Sequence, residues 1–349
     1  MLLNVLVISA VAIAVLVEGS VADWLSWASP VAGVAQLALV WVAASRAGCR
    51  LTFRWPRMTA DLKRLAVIAA PAALAGGVVQ INLVVGQQVA SYYARAVSWL
   101  YNADRLYQLP LGVVGIAIGI VLLPDLSRRL RAGDANGGQQ ALTRAGELAR
   151  ALSIPSAVAL MIVPIPLVSV LFERGLVSAQ DTAATAAAVA IYGLGLPSFV
   201  LQKVLQPLYF AREDTKTPFY FALIGMIVNA ALAVGLAYSI GWLASAVAAT
   251  VAGWVMVLLL LIGARKLGPE ARFALGFGPR GFKITLASVG MGAVLWVAAL
   301  LMTPGLNTAG LRYIALLALV SIGMASYALM GQLLGAYRQS EFRDALRRK

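Results

Sequence analysis

Long apolar runs without charged residues recur from one end of this 349-residue chain to the other. A helix needs about 20 predominantly apolar residues to cross the roughly 30 Å hydrocarbon core of a bilayer. The runs predict an all-α polytopic membrane protein with about ten spans, at residues 2–17, 29–45, 65–92, 104–127, 151–172, 182–210, 218–239, 241–262, 284–302 and 312–336. The first run continues into Glu18 and Asp23 with no small-residue cleavage site, so we expect it to remain as a span.

Composition argues against a soluble protein. Hydrophobic residues make up 61% of the chain and charged residues 12%, whereas soluble domains average about 45–50% apolar and about 25% charged residues. The sequence contains no histidine, which excludes a histidine metal ligand or general base. Cys49 is the single cysteine and cannot form an internal disulfide. We therefore expect no enzyme chemistry, no metal site and no cofactor.

The net charge of +14 could indicate a nucleic-acid partner, but the distribution of the basic residues argues against one. They lie in short segments between the apolar runs, as membrane orientation requires. When the connections are assigned alternately to two sides, 23 of the 28 lysines and arginines share one side. Cytoplasmic connections carry the positive excess, so both termini are predicted to be cytoplasmic. Two cytoplasmic segments, near 56–64 and 137–149, are long enough for short surface helices.

Three ionisable residues within the predicted spans are candidates for function, because a charge there costs at least about 2.5 kcal/mol. Asp104 and Arg105 open the fourth span, and Lys203 lies inside the sixth. The first two fit an interfacial pair at a helix start, with the arginine reaching lipid headgroups. They equally fit a water-filled cavity in which Arg105 binds phosphate through its planar donors. Lys203 either reaches the inner interface or lines the same cavity.

A weaker polar pattern occupies the third span. Gln80, Gln87 and Ser91 stand at i, i+7 and i+11 and so share one helical face. Such side chains either line a cavity or form hydrogen bonds between packed spans, and Asn229 in the seventh span has the same two interpretations. Prolines inside the spans predict the kinks and breaks common in transporters, at Pro71, Pro110, Pro155, Pro164, Pro166, Pro197 and Pro207.

Several ordered motifs resemble the MurJ (MviN) family of lipid II flippases. The longest covers residues 96–112 (AVSWLYNADRLYQLPLG) and continues at 115–127 (GIAIGIVLLPDLS). Shorter matches stand at 171–175 (LFERG), 203–207 (KVLQP) and 210–218 (FAREDTKTP). The resemblance implies the fold of the MOP exporter superfamily, related to the MATE multidrug exporters, with fourteen spans. The ten runs resemble the last ten of these, which implies a chain lacking part of the N-terminal lobe.

The resemblance also implies a domain division and a function. Residues 1–64 would hold the end of the N-terminal lobe with a cytoplasmic linker, 65–266 the C-terminal lobe, and 267–349 two extra helices with a basic tail. The family moves lipid II, an undecaprenyl-pyrophosphate-linked peptidoglycan precursor, from the inner to the outer leaflet of the bacterial inner membrane by alternating access. Membrane lipids and cell-wall synthesis proteins are the other expected partners.

The resemblance makes Arg105 one of the cationic residues that receive the headgroup in a central cavity. Asp104 would be its neighbour and orienting partner, and Lys203 also matches a family position. With Gln80, Gln87 and Gln108 they complete the predicted substrate-binding set. The other cavity arginines of the family lie on its first helices, so we expect the 349 residues alone not to flip lipid II.

Two alternatives stay open at this point. A multidrug or ion antiporter would need an intramembrane carboxylate for coupling, and the predicted spans contain only Asp104 and Asp125. A non-transporting scaffold could recruit cell-wall machinery through the basic cytoplasmic segments. Lipid binding that depends on Arg105 would argue against the scaffold.

Overall fold

The computed structural model describes residues 2–17, 19–48, 59, 62–63, 77, 80–82, 84–268, 279–308 and 310–336. All regular secondary structure in these residues is helical. A helix satisfies its backbone hydrogen bonds internally, which lipid requires. Among the described residues, seven helices are long and apolar enough to cross a membrane. The all-helical, multi-pass prediction is confirmed. The count of ten spans stays a prediction, since the basic tail and much of the third span and of the linker near 56–64 lie outside the described residues.

The chain divides into two compact units, residues 1–65 and 66–349; the three-domain division predicted from the sequence stays a prediction. In the first unit, α1 (Leu2–Leu16) and α2 (Val21–Arg46) pack as a hairpin. The Ser20 hydroxyl caps α2 by accepting from the backbone N–H of Asp23 at 3.4 Å. Helix α2 thus begins at Val21, whereas the predicted second span begins at residue 29. The helix extends beyond the apolar run because the Ser20 side chain satisfies a backbone N–H group of its first turn.

The second unit contains the remaining helices. Helical residues 84–91 lead through a turn into α3. In chain order the helices are α3 (Ala96–Arg131), α4 (Ala135–Ile162), α5 (Pro164–Phe172), α6 (Ala179–Phe210), α7 (Lys216–Ile240), α8 (Leu243–Ala264), α9 (Pro279–Leu301), α10 (Thr303–Asn307) and α11 (Arg312–Leu333).

Helix α6 forms the centre of the second unit. It packs against α3, α4 and α8, and these contacts contain most of the largest apolar core. Glycines allow the close approach. A methyl group at Gly193 would lie 3.1 Å from Cβ of Leu160 and 3.2 Å from the carbonyl oxygen of Ala157, both on α4. Small residues at helix contacts are how membrane helices gain van der Waals packing, because lipid supplies no hydrophobic drive for helix association.

The sequence interpretation of the fifth span was wrong in two respects. The segment near 137–149 is not a separate surface helix, because α4 runs unbroken from Ala135 to Ile162. Its first turn is capped by Asp134, which accepts from the backbone N–H of Gly137 at 2.8 Å. The predicted single span 151–172 is instead divided at Val163, since Pro164 cannot continue the backbone hydrogen bonds of α4 and starts α5 in their place.

Asp181 also corrects the sequence interpretation, which placed no carboxylate in the sixth span. It lies in the first turn of α6 and is 6% exposed. Its carboxylate accepts from Nη1 of Arg95 at 2.9 Å, from Nε1 of Trp99 at 2.9 Å, and from the backbone and hydroxyl of Ser178. Arg95 adopts a left-handed backbone conformation (φ +66°) immediately before α3. Asp181 thus ties the start of α3 to the start of α6.

Polar contacts also join the helical residues before α3 to α7 and α8. The Asn229 amide donates to Oδ1 of Asn82 at 2.6 Å, and Asn229 is buried. The Ser245 hydroxyl donates to the carbonyl oxygen of Gly86 at 3.0 Å. Of the two interpretations of Asn229, the contacts favour a hydrogen bond between packed spans.

Substitution of Gly193 tests the close packing of α6 on α4. We expect Gly193→Ala to lower the free energy of unfolding by about 1–3 kcal/mol, because the new methyl group presses on backbone as well as side-chain atoms. Gly235 in α7 is the matched control, since open space surrounds the position of its Cβ. Gly235→Ala should raise the stability by about 0.5–1 kcal/mol. Detergent-based unfolding followed by circular dichroism measures both, and equal effects would contradict the packing.

Substitution of Asp181 tests the tie between α3 and α6. Asp181→Asn should lower the midpoint of thermal unfolding more than Arg95→Gln does. The first change disturbs three partners of a buried group, whereas the Arg95 side chain is 63% exposed and its ion pair is weakened by solvent. A scan of both purified variants in the same detergent gives the order. A larger effect of Arg95→Gln would show that the exposed ion pair contributes more to thermal stability than the other hydrogen bonds of the buried carboxylate do.

Candidate substrate-binding face

Helix α3 carries Asp104 and Arg105 well inside its length. The helix begins at Ala96, so the two residues stand more than two turns after its start. The interpretation of an interfacial pair at a helix N-terminus is therefore wrong. The extra turns were missed because the polar residues of the 96–103 segment interrupt the apolar run without interrupting the helix.

The Arg105 side chain is exposed and is held by Tyr101, one turn earlier in α3. Its guanidinium carbon lies 4.6 Å from the centroid of the Tyr101 ring, and its Nη2 donates to the Tyr101 hydroxyl. The ring face attracts the cation, and the hydroxyl engages one of the five guanidinium N–H donors. The arrangement presents the remaining donors on an exposed surface of the helix, where they can meet the oxygens of a phosphate.

Asp104 contacts Gln108 and makes no ion pair with Arg105. Its carboxylate, partly buried, accepts a hydrogen bond from the Gln108 side-chain amide, one turn later. Neighbouring helical residues point about 100° apart, which separates Asp104 from the guanidinium. The role of Asp104 as an orienting partner of Arg105 stays a prediction. Asp104 fixes the exposed Gln108 on the same stretch of α3.

Lys203 lies on α6 beside the later part of α3. Its side chain is exposed, and a methyl group at Gly115 would lie 3.6 Å from its Cγ. Gly115 follows Arg105 by ten residues, which corresponds to about 15 Å along the helix axis. The contact with Gly115 thus places Lys203 beside a later part of α3 than Arg105, and a role of the two cations in one binding site stays a prediction.

Gln80 and Gln87 are exposed and lie on the side of their helix away from α7 and α8. On an α-helix they fall within about 20° of each other, whereas Asn82 and Gly86 point at least about 100° away from both. Asn82 and Gly86 make the contacts with α7 and α8. The face that Gln80 and Gln87 share is thus not used for this packing, and their role in binding stays a prediction.

Sequence reasoning missed Tyr101 as the partner of Arg105. The signal that could have found it is the i, i+4 spacing, which puts the two side chains side by side on a helix. Within the described ranges, no group of acidic or cysteine side chains is arranged to hold a metal ion.

Comparisons with known proteins identify the family of this chain. A family model described as "Lipid II flippase MurJ" matches residues 1–329. A probable lipid II flippase MurJ from Rhizobium meliloti (strain 1021) is 43% identical over 327 residues, which cover 93% of this chain and 61% of that protein. The corresponding protein from Rhizobium tropici is 39% identical over 353 residues, covering 99% of this chain and 66% of the relative. The chain thus spans less than two thirds of the length of these relatives.

Solved structures support the fold. A lipid II flippase MurJ in an inward closed conformation matches with a TM-score of 0.74 and 22% identity, over 99% of this chain and 67% of that one. A MOP superfamily transporter from Pyrococcus furiosus matches with a TM-score of 0.51 and 12% identity. The predicted MOP-type architecture is confirmed. Together with the family model and the relatives, these matches show that the chain belongs to the lipid II flippase MurJ family.

Proposed function

We propose that this protein takes part in moving lipid II, a lipid-linked peptidoglycan precursor, from the inner to the outer leaflet by alternating access. The family model and the names of the relatives support this proposal. The observation that carries it is the exposed guanidinium of Arg105, held against Tyr101 on α3. An intramembrane cation costs free energy unless it has a partner, and an anionic headgroup is such a partner.

Arg105 binds the pyrophosphate in this proposal. A planar guanidinium donates two parallel hydrogen bonds to phosphate oxygens, which a lysine ammonium cannot do with the same geometry. Gln108, held by Asp104, offers an uncharged partner one turn further along α3. Lys203, beside Gly115 on the later part of α3, contacts another part of the same headgroup. No step requires a change of covalent bonds, in keeping with a transporter.

We propose the bacterial inner membrane as the location, with both termini in the cytoplasm. The bias of basic residues supports this orientation. Within the described ranges, Arg128 and Arg129 lie at the end of α3, where the predicted topology places the cytoplasm, whereas Arg95 lies at its start. Lipid II and the surrounding membrane lipids are the proposed partners, together with proteins of cell-wall synthesis.

The two alternatives have less support. An antiporter would need a carboxylate available for a coupling ion, whereas Asp181 accepts hydrogen bonds from three residues and Asp104 accepts one from Gln108. A scaffold would not need an exposed arginine within a membrane helix. The relatives are named as flippases, not as antiporters or scaffolds.

Substitution of Arg105 tests the proposal. We expect Arg105→Gln to weaken binding of purified lipid II to the detergent-solubilised chain about tenfold or more, because charged hydrogen bonds are lost. Arg105→Lys should bind with intermediate affinity, because it keeps the charge but loses the planar donors. Native mass spectrometry of the complexes measures the affinities.

Arg174→Gln is the control for general loss of charge, since Arg174 is exposed and its Nη2 donates to the backbone oxygen of Leu171 at 2.8 Å. It should leave lipid II binding unchanged. Binding that does not depend on Arg105 would contradict the proposal and favour the scaffold.

Substitution of Tyr101 tests whether it positions Arg105. Tyr101→Phe keeps the aromatic face and should weaken lipid II binding about two- to threefold, whereas Tyr101→Leu removes both contacts and should weaken it about fivefold or more. In the Arg105→Gln background both changes should have little further effect, because a positioning residue acts through its partner. Additive losses in the double variants would show that Tyr101 contacts the lipid by itself.

A further inference from the structure

An open polar pocket of about 430 Å³ lies at one end of the second unit, between α4 and α9. Six of its residues come from the first turns of α4, and one comes from the start of α9. They are Asn136, Gln139, Gln140, Thr143, Arg144, Glu147 and Arg280. None of them belongs to the face around Arg105, and the proposed transport function assigns them no role.

The charged residues that line the pocket have a net charge of +1. Arg144 and Arg280 carry two positive charges and Glu147 one negative charge. Nη1 of Arg280 donates to Oε2 of Glu147 at 3.0 Å, and its Nε donates to the carbonyl oxygen of Ala336 at 3.1 Å. Arg280 is therefore held in place between α4 and the end of α11. Arg144 is exposed at the edge of the pocket.

The rest of the lining is neutral and rich in hydrogen-bonding groups. Asn136, Gln139 and Gln140 have side-chain amides, which both donate and accept. The Thr143 hydroxyl donates to the backbone oxygen of Gln139 at 2.8 Å and can still accept. Such a lining suits a hydroxylated ligand better than a second charged group.

The predicted topology places the pocket on the cytoplasmic side of the membrane, near the lipid headgroups. It is formed by the ends of two helices long and apolar enough to span a membrane. The end of α3 beside it carries Arg128 and Arg129, and Arg129 pairs with Asp125 at 2.9 Å and with Asp134, the N-cap residue of α4, at 3.3 Å. Basic pockets between membrane helices at the interface are suited to anionic lipid headgroups.

We propose that this pocket binds the headgroup of an anionic phospholipid of the phosphatidylglycerol type. One phosphodiester carries one negative charge, which matches the net charge of the lining residues, and the exposed Arg144 supplies charged donors beside Arg280. The glycerol hydroxyls meet the amides of α4. Phosphatidylcholine and phosphatidylethanolamine fit less well, because their cationic head groups would lie beside two guanidinium groups. The site is independent of the transport proposal.

The bound lipid joins the two C-terminal membrane helices to the rest of the unit. Arg280 already links α9 to α4, and the Tyr327 hydroxyl of α11 donates to the backbone oxygen of Ala151 on α4 at 2.7 Å. A phosphodiester between Arg144 and Arg280 adds a further bridge between α4 and α9. Lipid binding should therefore raise the thermal stability of the chain by mass action.

Native mass spectrometry of the full chain in neutral detergent tests the site. We expect phosphatidylglycerol to bind more tightly than phosphatidylcholine and to raise the unfolding midpoint. Arg144→Gln should weaken phosphatidylglycerol binding about three- to tenfold, because a partly exposed charged hydrogen bond is lost. Arg265→Gln is the matched control, since Arg265 is an exposed arginine at the end of α8 and outside the pocket, and it should bind as the unchanged chain does.

Three results would overturn the proposal. The first is equal weakening by Arg144→Gln and Arg265→Gln, which would indicate general attraction to a basic surface. The second is loss of phosphatidylglycerol binding in Arg105→Gln, which would place the lipid on the α3 face. The third is displacement of the lipid by an equal concentration of inorganic phosphate, which would identify a site for the free ion. Cooperative unfolding of Arg144→Gln in lipid-free detergent establishes that the variant is folded.

Discussion

The packing of α6 against α3, α4 and α8 sets the position of the candidate site residues in the second unit. Lys203 is on α6 itself, and Arg105 is on the helix that α6 holds. Close approach at Gly193 fixes α4 against the same core, so the pocket at the start of α4 has a fixed support as well. Because lipid does not drive helices together, small side chains and a few buried hydrogen bonds maintain this arrangement.

Polar groups in the second unit fall into two kinds. Asp181, Asn82 and Asn229 contact other polar groups and join helices to one another. Arg105 and Lys203 are exposed, and neither is paired with an acidic side chain among the described residues. In a membrane protein the first kind contributes to a unique packing, whereas the second kind needs water or an anionic ligand. This contrast separates a structural carboxylate such as Asp181 from a candidate binding cation such as Arg105.

The sequence was sufficient to predict an all-helical membrane protein, its family and Arg105 as a candidate site residue, because apolar length and linear motifs are visible without contacts. It did not predict the helix boundaries at Ala96 and Ala135, since polar residues can continue a helix beyond the hydrocarbon. Asp181 was missed because the sequence did not show that α6 begins before residue 182. Its partner Arg95 is also 86 positions away along the chain. Tyr101 was missed because its contact with Arg105 follows from the i, i+4 spacing of a cation and an aromatic residue on a helix, and not from the apolar pattern.

The continuity of α4 has a mechanical consequence. From Ala135 to Ile162 the helix is about 42 Å long at 1.5 Å per residue, and near its C-terminal end Ala157 and Leu160 pack against Gly193 of α6. A continuous helix of this length carries a displacement along its axis instead of absorbing it. The chain can bend at Val163, where α4 stops and α5 starts. A displacement at the start of α4 is therefore carried along the helix to its close contact with α6 at Gly193.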